Sequence, residues 1–149
     1  MNHAELCESA CKWLKRIGCR AIISEMSSAA QEEPDAIGWK NGISILVECK
    51  TSLSDFRRDQ YKFWRRSPKY GMGDWRFYMC EPEVIKKEHI TNDWGLVYVE
   101  GKRFKKIICP KGNVWGKPPY KSNNGSEIKL LVSALSRFQK LKENEGWTQ

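Results

Sequence analysis

The dipeptide Asn41-Gly42 constrains this chain more than any other feature. It stands between two strand-like runs, PDAIGWK and ISILVECK, and both residues tolerate the positive φ that a type I′ turn demands. A two-residue loop fixes the register of the strands on either side of it. Lys40 then pairs with Ile43, Trp39 with Ser44, Ile37 with Leu46 and Asp35 with Glu48, with Cβ atoms of opposed residues ~5 Å apart. Strand alternation puts Lys50 on the face of Glu48 and turns Ile45, Val47 and Cys49 to the other face.

Two like charges directly opposed on a sheet are destabilising unless a positive charge lies between them. A hard divalent cation such as Mg²⁺ takes oxygen ligands and needs only one or two carboxylates beside water and phosphate. An ammonium at Lys50 could position a water and stabilise charge on a phosphoryl oxygen. Asp, Glu and Lys around one metal form a phosphodiester-hydrolysis set. The same spacing also fits a plainer arrangement, with Asp35 as a turn residue and Glu48 and Lys50 as a solvated pair. A bulge or a one-residue slip would separate the acids.

The flanking sequence reads as a mixed α/β chain. Leu6, Cys7, Ala10, Trp13, Leu14 and Ile17 form one apolar stripe over residues 3–17, and Gly18 stops that helix. A short strand is expected at 19–26 and a second helix from about Ser54 through DFRRDQYKFWRR to Ser67-Pro68, with Ser54 or Asp55 as its cap. WRFYMC is a strand, EVIKKEHI a short helical stretch, and GLVYVEG with RFKKIICP a second hairpin. Residues 110–126 are rich in Pro, Gly, Asn and Lys and read as an exposed loop before a last amphipathic helix from about Glu127 to Lys142. With no internal repeat, residues 1–149 are expected to form a single domain.

Composition narrows the function classes. No apolar run approaches the ~20 residues of a membrane span, and the acid-bearing, amphipathic opening MNHAELCESACKW does not look like a targeting peptide. Cytoplasmic residence is the expectation, with no membrane partner. Six cysteines without a C-x-x-C pair, and two histidines, His3 and His89, far apart in sequence, argue for reduced thiols over disulfides or structural zinc. The net charge of +8 favours a polyanionic partner, nucleic acid first.

Pro34-Asp35 and Glu48-Cys49-Lys50 resemble the PD…E-x-K signature of the PD-(D/E)xK nuclease superfamily. The likeness to small phage and bacterial nuclease-like proteins extends over A-E-L…W-L, PDAIGW, ILVECKTSLSDFRRDQ, G-x-G-x-W-R-F-Y and DWGLVYV, up to about residue 110. The resemblance implies a restriction-endonuclease-like α-β-β-β-α-β core, here with an additional β-hairpin and a C-terminal helix. It implies that Asp35, Glu48 and the Cys49 backbone carbonyl hold Mg²⁺ or Mn²⁺ and that Lys50 orients the attacking water. An extra acid on the first helix is expected, Glu5 before Glu8, with Glu25 a third candidate. Gln60 and Trp64 stand at the spacing of the Gln-x-x-x-Tyr pair of some relatives, with Trp replacing Tyr. The activity implied is Mg²⁺-dependent endodeoxyribonuclease action in repair, recombination or phage–host defence. A catalytically silent DNA- or protein-binding module on the same fold is the rival.

DNA contact is expected from Arg57, Arg58, Lys62, Arg65 and Arg66, with Phe63 and Trp64 packing the second helix on the sheet. The later loop offers Trp115 and Tyr120 for base stacking, though a plain surface excursion fits as well. Asp55 reads as a cap, Asp59 as a partner of Lys62, and His89 as a surface or structural residue. A homodimer is open to an enzyme that cuts both strands, but no interface is legible.

Overall fold

The computed structural model describes residues 1–110 and 117–146. Its helices are α1 (His3–Arg16), α2 (Leu53–Asp59), α3 (Phe63–Arg66) and α4 (Asn124–Asn144). Its strands are β1 (Ala21–Ser24), β2 (Ala36–Lys40), β3 (Ile43–Cys49), β4 (Trp75–Cys80), β5 (Gly95–Glu100) and β6 (Arg103–Ile108). All six strands form one sheet in chain order. β1, β2 and β3 are antiparallel neighbours, β3, β4 and β5 run parallel, and β6 returns antiparallel on β5. The result is a mixed α/β fold. No helix among the described residues is long and apolar enough to cross a membrane.

The hairpin forms in the expected register. Asn41 and Gly42 adopt φ of 48° and 75°, and the ladder runs Lys40↔Ile43, Trp39↔Ser44, Ile37↔Leu46 to its end at Ala36↔Val47. Asp35 and Glu48 lie one step beyond. Alternation divides the core in two. Ile45, Val47 and Cys49 pack with Leu6, Cys7, Ala10, Trp13 and Leu14 of α1, while Ile37 and Leu46 face Phe56, Tyr78, Trp94 and Leu130. α1 begins with a capping box in which Asn2 and Glu5 satisfy each other's backbone N–H groups, and Gly18 at φ 104° lets the chain turn into β1.

The second helix departs from expectation. Ser52 is its cap, its side chain accepting the Asp55 N–H, and Asp55 instead meets Arg58 and Thr51. The helix ends at Asp59, Lys62 turns extended at ψ 142°, and the short α3 follows. On one continuous helix, residues 59 and 65 would lie about 9 Å apart along the axis and about 120° around it. The break folds them together, so that Arg65 Nε donates to Asp59 Oδ2 at 2.8 Å. A buried ion pair therefore outweighs helical continuity here. EVIKKEHI supplies only one tight turn, Lys87–His89, because Ile85 is its sole fully buried side chain and no apolar face supports more. α4 starts earlier than expected because Asn123 caps it.

At Gly95 an added Cβ would stand 2.3 Å from two Phe77 ring carbons and 2.9 Å from the Ile108 carbonyl oxygen. Gly95→Ala is therefore expected to destabilise the protein by about 1–3 kcal/mol through overpacking. Urea unfolding measures this, and an unchanged midpoint would contradict the close approach of β4, β5 and β6 at that point.

Candidate active site

The hairpin brings Asp35 and Glu48 together, as its register requires, but each is held by groups the spacing does not show. Asp35 precedes β2, and its Oδ2 accepts the Cys49 N–H at 2.8 Å, taking the place of the next ladder bond. Its carbonyl accepts from Ser24 Oγ at 2.9 Å and from the Glu25 N–H at 3.2 Å, which ties it to the end of β1. Its Oδ1 meets His3 Nε2 at 3.2 Å, and His3 Nδ1 lies 3.3 Å from Glu25 Oε1. His3 thus joins the first helix to the site.

Glu48 is buried at the end of β3, and Arg65 Nη2 lies 3.1 Å from its Oε1 at ion-pair distance without hydrogen-bond alignment. Lys50 Nζ meets Asp59 Oδ1 at 3.2 Å. Asp59 is fully enclosed and also takes Lys62 Nζ at 3.1 Å, Arg65 Nε at 2.8 Å and the Tyr78 hydroxyl at 2.8 Å. Gln60 Nε2 donates to that hydroxyl at 2.7 Å, so Gln60 supports the network from behind. Arg65 Nη1 completes the set on Glu32 Oε2 at 2.8 Å, with its guanidinium 4.7 Å above the Trp94 ring.

Burial governs the electrostatics, and neighbouring charges decide the sign. Burial pushes the Glu48 carboxyl up to about 8; Arg65 opposes this, and the nearby Asp35 adds to it. Asp59 is pushed the same way by burial, but Arg65, Lys50 and Lys62 outweigh it and hold its carboxyl well below the usual range. Glu32 is raised by burial. Arg65 would lose basicity on burial, yet Glu48, Glu32 and Asp59 raise it instead.

His3, Asp35, Glu48, Lys50, Asp59 and Lys62 border a cleft of about 400 Å³, together with Glu33, Cys49, Asp55 and Arg58. Asp35 and Glu48 offer it carboxylate oxygens, the donors a hard divalent cation prefers. Both acids line the same cleft, so the donor set fits such an ion. His3, Cys7 and Glu25 present nitrogen, sulfur and oxygen within 4.8 Å of one another. The Cys7 sulfur lies 3.8 Å from both ring nitrogens of His3, against the ring and not along one lone pair.

Several expected roles are overturned. Glu5 is exposed and its carboxylate accepts the Asn2 N–H at 2.9 Å as a helix cap, and neither it nor Glu8 borders the cleft. Arg65 cannot serve as a phosphate contact, because its side chain is 3% exposed and enclosed by acids. Phe63 is half exposed and rests on Tyr70 with ring centroids 5.0 Å apart, not on the sheet. The helix break separates Gln60 from Trp64. Tyr120 is partly buried with Arg76 4.2 Å above its ring, so that face is not open for base stacking, and Trp115 falls outside the described residues. His89 is half-buried, its Nδ1 accepting the Lys86 N–H at 3.0 Å. Arg57, Arg58, Lys62 and Arg66 remain exposed.

No protein-family model matches the chain, and no curated protein matches it. Among solved structures it is similar to the SPO1766 protein of unknown function from Silicibacter pomeroyi, at 19% identity and a TM-score of 0.67, over 99% of this chain and 97% of that one. At that identity the likeness carries the fold alone.

Removing the guanidinium leaves three buried carboxylates without it. Arg65→Ala is expected to cost about 3–5 kcal/mol, read by chemical denaturation, and a loss below 1 kcal/mol would contradict the enclosed network. Between the ordinary value of 4.5 and about 8, folded Glu48 holds a proton that the unfolded chain releases. Stability of the metal-free protein should therefore fall as pH rises through that window. Glu32 adds a slope of the same sign, and Asp59 acts only below its ordinary 3.8. Glu48→Gln should flatten most of the fall in thermal midpoints; an unaltered slope would assign it elsewhere.

Proposed function

We propose that this protein is a metal-dependent DNA endonuclease on a restriction-endonuclease-like core, acting in the cytoplasm with Mg²⁺ or Mn²⁺. The observation that carries the reading is the meeting of Asp35 and Glu48 beside Lys50 at one open cleft. The order α1, β1, β2, β3, α2, β4 supports it, being the order the resemblance implies. PD…E-x-K with its flanking blocks supplies the family argument.

Asp35, Glu48 and the Cys49 carbonyl would hold the metal, which when bound supplies Lewis-acid polarisation of the phosphoryl group and an acidified water. Lys50 orients the water and offsets charge growing on the phosphoryl oxygens, while Asp59 fixes where its ammonium points. His3 steers the Asp35 carboxylate and takes the place expected of Glu5. Arg58 and Lys62, at the cleft, and the exposed Arg57 and Arg66 bind DNA phosphates.

A second reading, a nuclease fold retained as a DNA- or protein-binding module, is favoured by one observation. Lys50 is paired to Asp59, and Arg65 stands at ion-pair distance from Glu48, so the protein places its own charged groups beside both.

Incubation with plasmid and single-stranded DNA, with and without Mg²⁺ or Mn²⁺, separates the two. Metal-dependent nicking should drop at least ~100-fold in Lys50→Ala and Asp35→Ala. Equal cleavage by all three proteins would mean contamination, and metal-independent binding without cleavage would establish the module. His3→Ala should keep cleavage but raise the Mg²⁺ concentration for half-maximal rate by roughly 10-fold, as loss of a carboxylate-orienting partner does. An unchanged Mg²⁺ requirement would leave His3 a structural role only.

A further inference from the structure

Among the described residues, α4 carries more apolar surface than the rest of the fold covers. Its first turns are anchored: Glu127 accepts from Ser44 Oγ at 2.7 Å, Trp39 Nε1 at 3.0 Å and the Gly73 N–H at 2.9 Å, and Leu130 is fully buried. Ala134 packs on the second core, and Arg137 donates to the Ser27 carbonyl at 3.0 Å. Beside this line runs another, Ile128, Leu131, Val132, Leu135, Phe138 and Leu141, whose members are 38% to 61% exposed. Ile128, Leu131, Leu135 and Phe138 recur at alternating three- and four-residue steps, the seam of a helix pair. Lys142 folds its ammonium to 5.4 Å over the Phe138 ring, leaving its stem along the same seam.

We propose that this face pairs with α4 of a second copy of the chain, antiparallel, about a two-fold axis at Leu135. The pattern is self-complementary in that arrangement: Leu135 meets its counterpart, Val132 lies level with Phe138 of the second copy, and Ile128 with the stem of its Lys142. The charges agree. Parallel pairing would bring Lys140 and Lys142 beside their counterparts, whereas antiparallel pairing brings Lys129 toward Glu143 of the second copy and opposes the helix dipoles. The six side chains expose on the order of 500 Å² of apolar surface, at the upper end of what a monomer leaves bare. With the rim of the helix included, the contact approaches the ~800 Å² per partner of a standard interface.

Sedimentation velocity from low to high micromolar protein tests the pairing, and it reads mass, so it is independent of any nuclease activity. The native protein should shift toward twice its 17.4 kDa. Leu135→Glu should stay at the monomer mass with an unchanged thermal midpoint, because Leu135 is exposed in the single copy. Under mild oxidation Leu135→Cys should cross-link to a covalent dimer and Ile128→Cys should not, judged against the native cysteines alone. A native monomer throughout would overturn the proposal and leave the stripe to a different partner. A dimer that survives Leu135→Glu would place the interface on another face, and cross-linking by both cysteine variants would overturn the antiparallel arrangement.

Discussion

One guanidinium holds the site side of this molecule together. Arg65 reaches Glu32 in the loop before β2, Glu48 at the end of β3 and Asp59 at the end of α2, and lies over Trp94 just before β5. Four segments distant in sequence meet on one side chain. The planar guanidinium spreads its donors along a fork long enough to reach three carboxylates on different segments, a span that the compact ammonium of lysine does not match. Burying such a charge costs several kcal/mol, and the acids around it offset that cost only while all remain in place. The break between α2 and α3 follows from this demand.

The network also sets the character of the cleft. Its acids outnumber what Arg65 alone can neutralise, and the imbalance falls on Glu48, whose contact with Nη2 lacks hydrogen-bond alignment and whose carboxyl is raised. Asp59, richly paired, stays charged and anchors Lys50. The two buried carboxylates therefore behave oppositely: Glu48 is raised by burial with one poorly aligned cation beside it, and Asp59 is held charged by its three cations. Tyr78 and Gln60 complete the committed half from the core side.

Local signals carried much of this into the sequence. Asn41-Gly42 fixed the strand register, and that register placed Asp35 against Glu48 and divided the β3 side chains between two cores. Apolar periodicity located α1 and most of α4, and short strand-like runs bounded by turn residues located β4, β5 and β6. Where the pattern misled, the competing interaction was tertiary. DFRRDQYKFWRR has the composition of one basic helix, yet an ion pair six residues apart divides it. Glu5 has the right offset for a helix-borne ligand, but its carboxylate closes a cap with Asn2, and His3 stands by Asp35 instead.

The sequence by itself determined the elements whose causes lie within a few residues: a turn that needs positive φ, the glycine stop after α1, alternation in the hairpin, and the acid pair and lysine that follow from them. Only the tertiary structure decided which of the basic residues faces solvent and which is buried, that His3 stands beside Asp35, and that α4 leaves one apolar face uncovered by the described residues. These depend on distances between segments far apart in the chain. A side chain's charge is the same in either setting, and only its burial and its partners determine what that charge does.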